Sequence, residues 1–173
     1  LNACGARITG AGSATIEIEG VRRMHGATYR PMPDRIEAGT LLAAAAATGG
    51  EVELTDAPVE ELGAVIAKLR EMGCRIETGA GRVTFVAPQR LDSPGQVITL
   101  PYPGFPTDMQ AQMLALTCCA RGTSIITETV FENRFTHVGD LRRMGANIVV
   151  KDRTAIVRGV RSLHGARVYA RDL

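Results

Sequence analysis

The chain repeats itself. Leu1-Asn2-Ala3-Cys4-Gly5-Ala6-Arg7-Ile8, Leu69-Arg70-Glu71-Met72-Gly73-Cys74-Arg75-Ile76 and Leu141-Arg142-Arg143-Met144-Gly145-Ala146-Asn147-Ile148 share one pattern, and their leucines lie 68 and then 72 residues apart. A second pair agrees: Gly20-Val21-Arg22-Arg23-Met24-His25-Gly26-Ala27 returns 139 residues later as Gly159-Val160-Arg161-Ser162-Leu163-His164-Gly165-Ala166. Self-similarity at a fixed spacing means one supersecondary unit used repeatedly. The chain opens on the end of one such unit and stops at the beginning of another. It therefore reads as a piece of a longer protein, one expected to lack part of its machinery.

Within a unit the order reads strand, helix, strand, helix, strand, strand. Asp34-Arg35-Ile36-Glu37 has the form of a capping box opening a helix over 35–47. The run Leu41 to Ala47 is apolar on nearly every face, so this helix belongs inside, and Gly49-Gly50 ends it. Glu51 to Leu54 alternates like a strand. A helix over 57–72 follows, with Pro58 in its first turn, an apolar stripe from Val59 to Met72, and Gly73 as its stop. Strands over 74–78 and 82–87 flank a Gly-Ala-Gly turn. The next unit repeats the order: a strand over 97–100, a second capping box at Thr107-Asp108-Met109-Gln110 opening a helix to Ala120, a strand over 124–127, a helix from Asn133 to Met144, and strands over 146–151 and 154–158. A third unit begins with a strand over 166–170.

Repetition has a directional consequence. Equivalent helices should point the same way, and Asp34, Asp108 and Asp172 each stand where a unit's first helix begins. Their N-termini should then face one side of the domain, where free N–H groups and aligned dipoles attract anions.

Composition narrows the function. A net charge of +2, seven aromatics and no Trp argue against a nucleic-acid surface. No apolar run reaches a membrane span. Cys4, Cys74, Cys118 and Cys119 show no metal-ligand spacing and read as reduced thiols of a cytosolic protein. No dinucleotide fingerprint, P-loop or Ser/His/Asp order can be built.

Two stretches remain for chemistry. In Tyr102 to Gln112, Pro103 and Pro106 hold the backbone extended and present Asp108, either as a carboxylate that accepts from a substrate hydroxyl, a candidate general base, or as a first-turn Asp favoured by the helix dipole. In Glu128 to Phe135, Arg134 at a helix N-terminus asks for an anionic partner, which is a ligand or simply Glu128 or Glu132. His137 one turn later reads as a packing or surface residue. Asp34 and Glu37 are helix-capping residues or, alternatively, cleft contacts.

Three segments carry a resemblance: Tyr29 to Thr40, Phe105-Pro106-Thr107-Asp108-Met109-Gln110-Ala111-Gln112, and Ile126-Thr127-Glu128-Thr129-Val130-Phe131-Glu132-Asn133-Arg134-Phe135. Through them the chain resembles the UDP-N-acetylglucosamine 1-carboxyvinyltransferases, a family of enolpyruvyl transferases. The resemblance implies an α/β (α+β) fold of repeated βαβαββ units, with helices inside and sheets outside, incomplete here. It implies residues 1–20 as the tail of a first domain, 21–33 as an interdomain linker and first strand, and 34–173 as about two of three units of a second domain. It implies transfer of the enolpyruvyl group of phosphoenolpyruvate to the 3-hydroxyl of UDP-N-acetylglucosamine, without a cofactor. It assigns Asp108 as the base at the sugar hydroxyl, Val130 as a backbone contact to the nucleotide sugar, Arg134 and Asp172 as cleft residues, and Asp34 and Glu37 as residues near the domain junction.

The family's Lys-Asn pair and its loop with a reactive Cys have no counterpart here, and none of the four cysteines matches that Cys. The expectation is half an active site: weak binding of the nucleotide sugar, no turnover by the isolated chain, and self-association through uncovered apolar surface. A segment of the shikimate-pathway enolpyruvyl transferase and a non-catalytic binding module are the alternatives.

Overall fold

A computed structural model describes residues 1–169; Asp172 and the end of the strand expected over 166–170 lie outside the described residues. The chain divides into two compact units, Leu1–Met32 and Pro33–Leu173. In the first, a 3-10 turn over Asn2–Cys4 precedes β1 (Arg7–Thr9), which pairs antiparallel with β2 (Glu17–Glu19).

The second unit begins with α1 (Arg35–Thr48). Asp34 Oδ1 accepts the N–H groups of Ile36 (2.7 Å) and Glu37 (3.4 Å), and Gly49 closes the helix in the left-handed region. Then come β3 (Glu51–Thr55), α2 (Gly63–Glu71), β4 (Arg75–Gly79) and β5 (Arg82–Val86), whose strands form an antiparallel sheet in the order β3-β5-β4. The order recurs with β6 (Gln96–Ile98), a 3-10 turn at Thr107–Met109 leading into α3 (Gln110–Thr117), β7 (Thr123–Thr127), α4 (Val138–Arg143), β8 (Asn147–Lys151) and β9 (Thr154–Arg158). Here the sheet order is β6-β7-β9-β8, with β6 and β7 parallel across the α3 crossover and the other pairs antiparallel. The second repeat is a whole βαβαββ unit, as the resemblance implied; the first runs αβαββ.

The core lies between helices and sheets. Leu42, Ala43 and Ala46 of α1 and Met113, Leu114 and Leu116 of α3 are buried together with Val83 and Phe85 of β5 and Ala155 and Val157 of β9. α1 buries mostly small residues (Ala38, Gly39, Ala43 and Ala46), which lets the longer buried side chains of α3, Met113, Leu114 and Leu116, pack closely against it and the strands.

The repeat motif has a structural purpose. Gly5, Gly73 and Gly145 all adopt positive φ (89, 88 and 95°). A Cβ on Gly5 would lie 2.9 Å from the His25 ring, and one on Gly145 3.0 Å from the His164 ring. The same histidines donate their N–H to the carbonyl just before each glycine, His25 to Cys4 and His164 to Met144, both at 2.9 Å; Asp92 does so to Met72 in the middle repeat. The paired motifs noted in the sequence are thus the two sides of one contact.

Several expectations are corrected. The helix expected over 57–72 starts only at Gly63, because residues 58–62 form turns that bury Leu62 without continuous helical bonding. The helix expected from Asn133 starts at Val138; Asn133 has φ 56° and lies within the loop, and His137 stands at the cap position. The Thr107 capping box does not form: Pro106 is the cap, and the Thr107 hydroxyl is engaged elsewhere. No strand forms within 21–33 or over 166–169, segments that bury no apolar face to hold a ladder.

Candidate active site

Asp108 is placed by packing between the two central helices. Gly39 of α1 faces Met109, and a Cβ at Gly39 would come 2.9 Å from the Met109 sulfur. Thr40 Oγ1 accepts a hydrogen bond from Gln112 Nε2 at 3.0 Å. Residues early in α1 therefore meet residues early in α3, so the helices run the same way and open at the same end. Arg35 at the start of α1 lies over the Tyr102 ring, 5.3 Å from its centre, in the loop before Asp108.

At that end Asp108 meets Arg134. Arg134 Nη2 donates to Asp108 Oδ1 at 2.8 Å, and Nη1 donates to Thr107 Oγ1 at 3.1 Å. The guanidinium also lies 4.7 Å from the centre of the Phe131 ring. Its side chain is only 11% exposed, whereas that of Asp108 is 53% exposed. The arrangement is a fixed cation partly covered by a solvent-facing carboxylate. Of the partners considered for Arg134 in the sequence, neither Glu128 nor Glu132 is the one observed, because Arg134 leaves a loop and not a helix start and points back toward the 3-10 turn.

Glu128 does something else. It is 1% exposed. Its Oε1 accepts from Thr99 Oγ1 (2.8 Å), Val130 N (2.8 Å) and Phe131 N (3.1 Å), and its Oε2 accepts from Thr107 Oγ1 (2.8 Å). Burial pushes this carboxyl up, but the donors from Phe131, Thr107, Thr99 and Val130 outweigh it and hold it below the ordinary glutamate range. Arg153 fastens the same loop from behind, donating to the carbonyls of Glu128 (2.9 Å) and Phe131 (3.1 Å). Sequence reasoning missed the organising role of Glu128. The available signal was an acidic residue closing a strand of alternating burial, followed by a threonine.

The other expected residues fall as follows. Asp34 and Glu37 sit exposed at the N-terminus of α1, Asp34 as its cap. Val130 is exposed in the loop, with its N–H given to Glu128. His137 is part of the packing: burial lowers its pKa against the raising effect of Asp140, and neither ring nitrogen has a partner among the described residues. Among the described residues no three of His, Cys, Asp or Glu form a metal-ligand set, and no helix is long and apolar enough to cross a membrane. A separate groove of about 580 Å³ runs between α1 and α3, lined by Thr40, Ala43, Ala47, Gln112, Ala115 and Leu163 among others; Asp108 and Arg134 are not on its walls.

The sequence and the fold match known proteins. The family model EPSP synthase (3-phosphoshikimate 1-carboxyvinyltransferase) matches residues 1–173. The chain is 57% identical over its whole length to the UDP-N-acetylglucosamine 1-carboxyvinyltransferase of Desulfovibrio desulfuricans, and 50% identical to UDP-N-acetylglucosamine 1-carboxyvinyltransferase 2 of Caldanaerobacter subterraneus, spanning 42% of the length of each. Among solved structures, the enolpyruvyl transferase NikO of Streptomyces tendae superposes on 91% of this chain and 38% of its own (TM-score 0.70, 25% identity). EPSP synthase of Acinetobacter baumannii covers 95% of this chain and 38% of its own at 20% identity (TM-score 0.55), a likeness of fold. Matched along its full length, the chain belongs to the EPSP synthase family.

Proposed function

We propose that this chain forms one wall of the active site of a transferase that moves the enolpyruvyl group of phosphoenolpyruvate onto the 3-hydroxyl of UDP-N-acetylglucosamine and releases phosphate. One observation carries the reading: Asp108 and Arg134, 26 residues apart in sequence, meet at 2.8 Å where the two parallel helices open. Arg134 is held on three sides, by Asp108, Thr107 and Phe131, so it offers an anion a cation already in place. Asp108 is the exposed member and the acceptor for the sugar hydroxyl proton. The Val130 N–H is committed to Glu128, so a backbone contact to the nucleotide sugar falls to its carbonyl. Asp34 and Glu37 at the start of α1 complete the ligand-facing set among the described residues; Asp172, a cleft residue by the resemblance, lies outside them. The sugar hydroxyl gives its proton to Asp108 as its oxygen bonds to C2 of phosphoenolpyruvate and C3 takes up a proton, which makes a tetrahedral ketal with a methyl group; loss of phosphate from C2 together with a proton from C3 then restores the double bond.

The reaction is the first committed step of peptidoglycan synthesis, a cytoplasmic one that serves cell-wall formation. It requires no cofactor. The isolated chain should self-associate through uncovered apolar surface, and sedimentation equilibrium reads whether it does.

The deciding experiment is competition binding. UDP-N-acetylglucosamine should bind, weakly, in preference to shikimate 3-phosphate, and the preference should vanish in Arg134→Ala. Stronger binding of shikimate 3-phosphate would overturn the substrate assignment. Phosphate release from phosphoenolpyruvate and UDP-N-acetylglucosamine should stay at background with this chain alone; turnover would refute the half-site reading.

A further inference from the structure

We propose that Glu128 is the positioning residue of the Asp108–Arg134 pair, setting the direction of the hydrogen bonds that hold Arg134. The assignment rests on the reading of that pair as the ligand-facing groups.

Glu128 reaches Arg134 by two routes. The first runs through Thr107. A threonine hydroxyl has one proton and can give it to one acceptor. Thr107 Oγ1 lies 2.8 Å from Glu128 Oε2 and 3.1 Å from Arg134 Nη1. An ionised carboxylate only accepts, and a guanidinium only donates. The proton of Thr107 must therefore point at Glu128, which turns the oxygen's lone pairs toward Arg134. The second route runs through the backbone. Glu128 Oε1 accepts the Phe131 N–H at 3.1 Å, and the Phe131 ring packs against the Arg134 guanidinium. Oε1 also ties in Thr99 at the end of β6 and Val130 in the loop. One buried carboxylate thus joins the loop that carries Asp108 to the loop that carries Arg134.

A carboxamide of the same shape would not do this. In Glu128→Gln the amide oxygen best stays with Thr99, Val130 and Phe131, which places the NH2 group against Thr107. The Thr107 oxygen would then accept from the NH2 group as well as from Arg134, which weakens its bond to Arg134, and its proton would lose its acceptor. Shape is kept and bond direction is lost. A residue that merely closes the 128–131 turn would leave Arg134 unaffected by that exchange.

The test uses the 173-residue chain labelled with 15N in arginine, and reads rotation of the Arg134 guanidinium by NMR. In the wild type the two Nη signals should be distinct, as expected of hindered rotation. Losing a charge-assisted bond corresponds to roughly tenfold faster rotation or more, so Glu128→Gln and Thr107→Val should merge the signals. Thr107→Ser, which keeps the hydroxyl, should restore them. Unchanged Arg134 signals in a folded Glu128→Gln or Thr107→Val chain would overturn the proposal. Should Glu128→Gln fail to fold, Glu128→Asp, which keeps the charge but draws the carboxylate back from Thr107, takes its place and should likewise merge the signals; distinct signals there would overturn the proposal. Adding UDP-N-acetylglucosamine to the wild type is a separate arm: no perturbation of Arg134 would sink the functional reading while the ligand-free result still judges Glu128.

Discussion

Gly20 and Gly159 occupy the same place in the repeated motif, yet the structure assigns them opposite tolerance to a side chain. A Cβ at Gly20 would meet nothing within 4 Å. A Cβ at Gly159 would lie 1.6 Å from the Ala120 carbonyl oxygen, 2.8 Å from its carbon and 3.2 Å from its nitrogen. All three atoms are backbone, so no rotamer change relieves the overlap. Real Cβ contacts stay above 3.0 Å, so the strand exit must move by more than an ångström. That movement pulls on the bonds from Gly159 N–H to the Gly122 carbonyl (3.0 Å) and from Val160 N–H to the Cys118 carbonyl (2.8 Å). Overpacking costs about 1–3 kcal/mol, and a strained or unmade buried backbone bond about 1–3 kcal/mol more. Gly159→Ala should therefore lose about 2–6 kcal/mol, a fall in Tm of roughly 4–24 °C for a chain of this size. Gly20→Ala should stay within about 0.5 kcal/mol of wild type. Urea and thermal unfolding followed by circular dichroism measure both. A Gly159→Ala chain as stable as the wild type would refute the packing argument.

Three further outcomes follow from single sites. Glu128 has a folded pKa below its unfolded value, so its contribution to stability is complete above the unfolded pKa and is lost as pH falls through the folded one; urea midpoints should drop as the pH falls through and below the ordinary glutamate range, less steeply in Glu128→Gln. Burial pushes the Cys118 thiol up to about 12, helped by Cys119, and the Cys74 thiol up to about 11, so alkylation resolved by mass spectrometry should modify these two only as the chain unfolds, after Cys4 and Cys119. Asp34→Ala removes the acceptor for Ile36 and Glu37 and should cost about 1 kcal/mol in urea unfolding, with Asp34→Ser recovering most of it.

Local signals were legible where the responsible residues are neighbours. The cap at Asp34, the stop at Gly49 and the β4–β5 hairpin follow from adjacent residues, and the structure places them within a residue or two of expectation. Signals that depend on depth were not. Val59, Leu62 and Val65 have helical spacing, but spacing records which residues want burial, not whether the backbone before Gly63 is bonded as a helix. Thr107 has the residue type of a cap, yet a carboxylate 21 residues away takes its proton. The donors to Glu128 come from Thr99, 29 residues back, as well as from its own loop, so an acidic residue closing a strand was a weak local sign of the most organised group in the region.

The repeat also shows how the candidate site arose from a plain scaffold. β3, β4 and β5 begin at Glu51, Arg75 and Arg82, and β7, β8 and β9 begin 72 residues later at Thr123, Asn147 and Thr154. By the same step Asp34 corresponds to Pro106, and both are helix caps. Asp108 then corresponds to Ile36, and Arg134 to Leu62, which is 1% exposed. Where the first unit packs two apolar residues against its core, the second carries an ion pair. A 3-10 first turn, with three residues per turn, presents position 108 differently from its helical counterpart. A pair kept for stability and a pair kept for a ligand give different results when the sister unit's residues are restored. Exposed ion pairs contribute about 0–1 kcal/mol, and replacing a partly buried pair by apolar residues is often neutral. The double variant Asp108→Ile/Arg134→Leu should therefore fold, unfold in urea within about 1 kcal/mol of wild type, and lose affinity for UDP-N-acetylglucosamine. The single variant Arg134→Leu should lose the same affinity. A double variant destabilised by more than about 2 kcal/mol would mean the pair is structural, and the site would have to be sought elsewhere on the molecule.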